Sequence, residues 1–156
     1  PNFLPRFIER RKSGRLARIG NQPHLVDCIY IDNAVDAHIL ALEHLHPGSP
    51  VSGKAYFISQ GDPIDIGDLM DRILSAAGLD PIDRIVSQKL AYGAGWLLEL
   101  IYGILRLKGE PPMTRFLAKQ LSTAHWFDIS AARKELGYTP SVSITEGLKH
   151  LSESLK

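Results

Sequence analysis

Arg6, Arg10, Arg11, Lys12, Arg15 and Arg18 crowd the start of this chain against a single carboxylate, Glu9. Such a run is most often a solvated face. It has a sharper reading. Arg6 lies beside the apolar Phe3 and Phe7, and a guanidinium next to apolar surface can hold a carboxylate through two parallel hydrogen bonds. Phe3, Arg6 and Phe7 are therefore candidate substrate-binding residues. The other chemistry-bearing types are scattered. His38, His44 and His46 share one helical stretch and its end at spacings of six and eight, which do not converge on one ion, so no metal site is expected. Cys28 is the one cysteine and sits in an apolar run; it reads as a small buried hydrophobe and excludes a disulfide framework. A reducing, cytoplasmic setting fits. No Gly-x-Gly-x-x-Gly follows a strand, Gly93 and Gly95 lie inside an apolar helix, and neither a P-loop nor a Gly-x-Ser-x-Gly elbow occurs.

The elements that would carry these residues are mostly helical. A chain of 156 residues with 44% hydrophobic residues and a net charge of +1 suits one ordinary domain. It excludes a disordered chain and a nucleic-acid binder that works by global charge. Phe3, Leu4, Phe7 and Ile8 have helical spacing, with Gly14 as a stop. "RLARIG" reads as a short strand. Ile29–Ile31 reads as a strand, and Asp32 as the cap of a helix burying Val35, Ile39, Leu42 and Leu45. "GKAYFIS", Gly53–Ser59, reads as a second strand. Asp65 and Asp68 open a helix that Gly78 closes; Ser87 caps another; "TRFLAKQLS" is a short one. "HWFDISAARKELGY" gives a short strand and a helix closed by Gly137, and Ser143 with Glu146 opens the last helix. "KAYFIS" has no hairpin partner beside it, and a lone strand cannot satisfy its own backbone. Much of its sheet is expected outside this chain. Pro1 enters on a helix already under way, which fits a fragment of a longer protein.

"LAYGAGWLLELIYGILRL", Leu90–Leu107, is the most apolar stretch. As a helix it measures about 27 Å, just short of a bilayer core of roughly 30 Å. Tyr92, Gly95, Glu99, Tyr102, Gly103 and Arg106 fall on one narrow stripe. A mid-helix carboxylate costs on the order of 3 kcal/mol on insertion scales while each Leu or Ile returns only about half a kcal/mol, so a stable span is not favoured. A buried core helix remains open, and so does a lid or membrane-skimming helix facing a lipid.

The order of landmarks adds more than any single motif. "LPRFIERRKSGRLARIG", "YIDNAVDAHILA", "GKAYFIS" and "KELGYTPSVSITEGL" follow one another with short gaps. The chain thereby resembles the C-terminal half of an extended short-chain dehydrogenase/reductase (SDR), of the 3β-hydroxysteroid dehydrogenase/isomerase family. "AYFISQGDP", "RLKGEPPMTRFLAKQLSTAHW" and "GYTPSVSITEGL" resemble, more narrowly, the bacterial 2-alkyl-3-oxoalkanoate reductases of long-chain olefin biosynthesis.

The resemblance implies an α/β fold: the C-terminal substrate-binding half of a Rossmann-like extended SDR, mostly helical with a few short, mainly parallel strands. On this reading residues 1–156 are the substrate-binding portion, and the cofactor-binding portion lies outside the chain. The family's Tyr-x-x-x-Lys pair would also lie there. Tyr30, Tyr56, Tyr92, Tyr102 and Tyr138 are followed four residues later by Ala34, Gln60, Trp96, Arg106 and Val142, so no catalytic residue is expected in this chain. NADP or NAD would be the cofactor, bound mainly by the missing half. Val26 stands where nucleotide-sugar relatives carry an arginine, which argues against such substrates. Asp32 and Asn33 would lie at a strand-to-helix switch facing the cleft, with helix capping the competing role for Asp32. Tyr92, Trp96 and Leu100 would wall a cleft for a lipid-like substrate.

The resemblance implies reduction of the 3-keto group of a 2-alkyl-3-oxoalkanoic acid by the parent enzyme. A 3β-hydroxysteroid or sterol dehydrogenase is the alternative within the class. A non-catalytic binding or assembly module is the alternative outside it. No nucleic-acid partner is expected; peripheral membrane contact, partner enzymes and a homodimer remain open.

Overall fold

The computed structural model describes residues 3–155. Seven helices dominate these residues: α1 (Phe3–Lys12), α2 (Ile31–His44), α3 (Ile66–Ala76), α4 (Gln88–Ile104), α5 (Arg115–Gln120), α6 (Ser130–Leu136) and α7 (Ile144–Ser154). Four strands of two residues accompany them: β1 (Arg18–Ile19), β2 (Leu25–Val26), β3 (Ile64–Asp65) and β4 (Ile85–Val86). Side-chain caps fix several helix starts where the sequence puts them. Asp65 accepts from the Asp68 amide, Ser87 from Leu90, Thr114 from Leu117 and Ser143 from Glu146. Gly137 closes α6 at φ 67°, a left-handed position that suits glycine.

The chain packs as two compact units. The first takes the chain up to His24 and then Asp65–Ala124; the second takes Leu25–Ile64 and His125 onward. In the first unit β1 and β4 run parallel, with Arg18 opposite Ile85 and Ile19 opposite Val86. Phe7, Leu74 and Ile82 form one buried cluster, supported by Leu16, Met70, Ile73 and Leu79. Ile19, Ala91 and Ala118 form another, with Val86, Met113 and Leu121 against it. In the second unit β2 pairs with β3, and Ala37, Ile129, Ala132 and Tyr138 make the core with Leu40, Tyr56 and Ile58.

Three expected strands come out differently. Ile29–Ile31 forms none: β2 lies earlier, and α2 already begins at Ile31. Tyr30 is the cap residue, without a side-chain cap bond, so Asp32 sits in the first helical turn, not at its cap. Residues 54–59 form no strand because no neighbour pairs with them among the described residues; the nearest amides with backbone partners are those of Lys54, to Val51, and Gln60, to Cys28. The strand expected near His125 is reduced to a single parallel bridge with Val26.

Helix α2 turns the wrong way for a self-contained domain. Its buried residues are Asn33 and Ala37, while Ile31, Val35, Ile39 and Leu42 are exposed, as is Leu45 just beyond its end. Asn33 is fully buried and fully used. Its amide nitrogen donates to Gln60 Oε1 and the Val142 carbonyl, and its oxygen accepts from the Ser141 and Val142 amides and the Ser141 hydroxyl. It ties α2 to two distant loops. Asn33→Leu strands several buried polar groups, each worth about 1–3 kcal/mol when left unpaired. We expect a loss of stability of about 3 kcal/mol or more, read as a fall in the urea midpoint; a change under about 1 kcal/mol would show that the clamp is not structural.

Candidate functional site

The residues that could do chemistry meet in the first unit. Helix α1 carries Arg6, Phe7 and Arg10 along its length, and the chain then turns at Gly14 (φ 66°) into β1. The parallel pairing of β1 with β4 brings Arg84 alongside, through the Arg18 amide bonded to the Arg84 carbonyl. Helix α4 supplies Leu90, Ala91 and Ala94, and the α5 region supplies Met113, Leu117 and Leu121. Together they enclose a cavity of about 650 Å³. Its wall is apolar (Phe7, Leu16, Ile19, Met70 and Val86 join those just named), and four guanidiniums, Arg6, Arg10, Arg15 and Arg84, line it with one carboxylate, Glu110.

The charges around this cavity are unusual in their pairing. Elsewhere in the unit four of the five arginines have carboxylates, Arg11 with Asp83, Arg18 with Asp71, Arg72 with Asp68 and Arg115 with Glu99, and exposed Arg106 has none among the described residues. None of the four lining arginines has a carboxylate partner among the described residues. Arg10 donates to the Pro112 carbonyl at 3.2 Å. A guanidinium stays charged at any physiological pH, so the cavity presents fixed positive charge beside apolar surface.

Helix α4 reaches the cavity with its small residues. Gly95 lets the start of α5 approach: a Cβ there would lie 2.6 Å from the Thr114 carbonyl carbon. Glu99, one turn on, accepts from the Arg115 amide at 2.8 Å and from its Nε at 2.6 Å. Those two hydrogen bonds, the backbone one first, hold the Glu99 carboxyl below its ordinary value. Gly95 and Glu99, at the middle of the polar stripe, thus face the protein, Tyr92, Gly103 and Arg106 of the same stripe are exposed, and Trp96, Leu97, Leu100, Ile101 and Ile104 face outward. Among the described residues no helix is long and apolar enough to cross a membrane.

The candidate residues therefore separate. Arg6 and Phe7 line the cavity, Phe7 also as part of the core beneath it. The Phe3 side chain lies outside the described residues. Tyr92, Trp96 and Leu100 are exposed and line no part of the cavity, whose α4 wall is Leu90, Ala91 and Ala94. Asp32 is exposed on α2, and the hydrogen bonds of Asn33 are all spent inside its own unit. Of the other lining arginines, Arg10 and Arg15 stand in the basic run that the sequence shows, and Arg84 was not singled out. Arg84 is 78 residues from Arg6 and only the β1–β4 pairing unites them; the short "RIV" run was the one available signal. Cys28 is inert: burial first, then Asp27 and Asp62, push its thiol up. Among the described residues no His, Cys, Asp and Glu cluster could hold a metal ion.

Residues 1–89 match the 3-beta hydroxysteroid dehydrogenase/isomerase family. The chain belongs to that family. It is 48% identical over 152 residues to the 2-alkyl-3-oxoalkanoate reductase of Stenotrophomonas maltophilia, covering 97% of this chain and 46% of that protein. It is 29% identical over 157 residues to the mouse sterol-4-alpha-carboxylate 3-dehydrogenase (decarboxylating), covering 99% of this chain and 43% of that one. The chain thus spans less than half the length of these relatives. Among solved structures it matches the crystal structure of gox2253 at TM-score 0.64 and 24% identity, over 99% of this chain and 43% of that one. It matches dTDP-glucose 4,6-dehydratase from Bacillus anthracis, solved in complex with NAD, at TM-score 0.56 and 14% identity, over 97% and 38%. These likenesses place the fold among Rossmann-like SDR proteins of the epimerase and dehydratase type, and the helix-rich content with parallel strand pairing agrees with the sequence expectation.

The Glu99–Arg115 pair yields a pH test. A carboxyl lowered in the folded state contributes stability that is full above the ordinary value of 4.5 and is lost as pH falls through the lower folded value. Glu99→Gln removes that contribution. Its urea midpoint is expected to fall less steeply than the wild type's on acidification below pH 4.5, and parallel curves would refute the pairing.

Proposed function

We propose that this chain is the substrate-binding portion, residues 1–156, of a longer NAD(P)-dependent reductase. That enzyme would reduce the 3-keto group of a 2-alkyl-3-oxoalkanoic acid. The observation that carries this reading is the apolar cavity with an arginine rim, set in a chain nearly half identical to a 2-alkyl-3-oxoalkanoate reductase. An alkyl chain gains roughly 0.8 kcal/mol for each methylene it buries, and Arg6 suits the carboxylate. The cofactor-binding portion would supply the NADP or NAD site and the proton donor. The unpaired residues 54–59 and the exposed stripe of α2 support a sheet supplied by that portion. A sterol substrate is the second reading, favoured by the sterol dehydrogenase relative; its rigid rings would also use the apolar wall.

The outward apolar face of α4 supports peripheral contact with a lipid surface. Lys89, Arg106 and Lys108 stand exposed near its two ends, where anionic headgroups would meet them. In the parent enzyme Arg6→Ala is expected to raise KM for a long-chain keto acid by about tenfold and to leave KM for a neutral ketone of the same length nearly unchanged. An equal effect on both would remove Arg6 from carboxylate recognition. Ala94→Phe fills the cavity from α4 and should cost long-chain turnover more than short-chain turnover.

This chain alone should not oxidise NADPH with any ketone, since it holds no Tyr-x-x-x-Lys pair. Absorbance at 340 nm with the purified 156 residues checks that, and measurable turnover would overturn the division of labour.

A further inference from the structure

The cavity holds more positive charge than a keto acid can use. One carboxylate satisfies one guanidinium through two hydrogen bonds. Four arginines line the space, and Glu110 is the one carboxylate lining it. Like charges repel, so gathering four arginines along one apolar-walled space is a cost unless an anion answers them. The same unit pairs Arg11, Arg18, Arg72 and Arg115 with carboxylates, and none of those four pairs lies on the cavity's lining.

The arrangement within the cavity is asymmetric. Arg6 and Arg10 come from successive turns of α1, four residues apart on one helix face. Arg15 and Arg84 come from other elements, the approach to β1 and the residue before β4, two strands in register with each other. The apolar residues of α4 and α5 complete the wall. A ligand here meets two pairs of guanidiniums from different elements and a greasy surface between α1 and α4.

We infer that Arg15 and Arg84 form a phosphate subsite at this cavity, so that it takes long-chain amphiphiles whose head carries a phosphate group as well as free carboxylates. Phosphate brings up to two negative charges and three acceptor oxygens, which matches several forked donors better than a carboxylate does. The inference rests on the reading of the cavity as the substrate site, and it widens the acyl forms that the site admits to phosphate-bearing carriers. No bond is made or broken in this recognition.

The test compares dodecyl phosphate, dodecanoate and dodecanol, each below its aggregation limit, binding to the purified protein by calorimetry. Dodecyl phosphate should bind at least about tenfold more tightly than dodecanoate, and added salt should narrow the gap. Arg15→Ala with Arg84→Ala should abolish the gap and leave dodecanoate binding; both side chains are exposed, and far-UV circular dichroism checks that the variant folds. Equal binding of phosphate and carboxylate, or a gap that survives the double substitution, overturns the phosphate subsite and leaves the keto-acid reading standing. Failure of all three probes, dodecanol included, removes the cavity reading itself. A second arm uses phosphatidylcholine vesicles with and without phosphatidic acid. Binding to phosphatidic acid vesicles without binding of soluble dodecyl phosphate also overturns the inference, because a surface and not a cavity would then be reading the phosphate.

Discussion

Two helices in this chain pack through their small and polar residues and leave their large apolar side chains in water. That inversion governs the rest of the structure. α2 buries Asn33 and Ala37 and exposes Ile31, Val35, Ile39 and Leu42. α4 buries Ala91 and Gly95 and turns Trp96, Leu97, Leu100 and Ile104 outward. Exposed apolar area forgoes roughly 25 cal/mol per Å², so each such face is a cost wherever nothing covers it. Close approach offsets part of it locally. Gly95 admits the α5 backbone, and Asn33 fills every hydrogen bond it can make.

Backbone pairing tells the same story from another direction. The strands are two residues long, and residues 54–59 find no ladder, although their alternation and β-branched and aromatic content suit a strand. Around them, Phe57 is exposed and stacks on Phe127 at 4.3 Å between ring centroids, while Tyr56 donates to Glu135. Burial first, and then that hydrogen bond, raise the Tyr56 hydroxyl to about 12. One side of the segment is therefore anchored within its unit, and its backbone is left without strand partners. Relatives that are more than twice as long have the material to complete such a sheet.

The parts legible in the sequence are those set by local chemistry. Caps at Asp65, Ser87 and Ser143, and the glycine stop at Gly137, are decided by groups a few residues apart, and they occur as read. Strand expectations at Ile29–Ile31 and Gly53–Ser59 failed for a nonlocal reason: a strand exists only where a neighbour supplies donors and acceptors. The family was legible because the order of landmarks along the chain is kept even where the strands are not. The cavity was half legible. Arg6 and Phe7 stood out by type and spacing, but Arg84 joins them only through the register of β1 against β4. The large residues of α4 lie off this cavity for a physical reason too. Trp96 and Leu100 look like a wall because they are large, yet the side of a helix that closes on a neighbour is the side that lets the neighbour come near. In α4 that side is Ala91, Ala94 and Gly95.

That geometry also explains how an apolar cavity and a cationic rim coexist in a unit of this size. Small residues on α4 leave volume between it and α1, and long arginine stems can line that volume with methylenes while their charged ends reach water or a ligand. Phe7 beneath them packs with Leu74 and Ile82, so the floor belongs to the core while the rim does not. On the proposed reading the apolar floor would set how much chain can enter, and the charged rim would set which head group is retained. Separating the two tasks onto different side chains lets head-group preference change by substitution at the rim without disturbing the core that holds α1 in place.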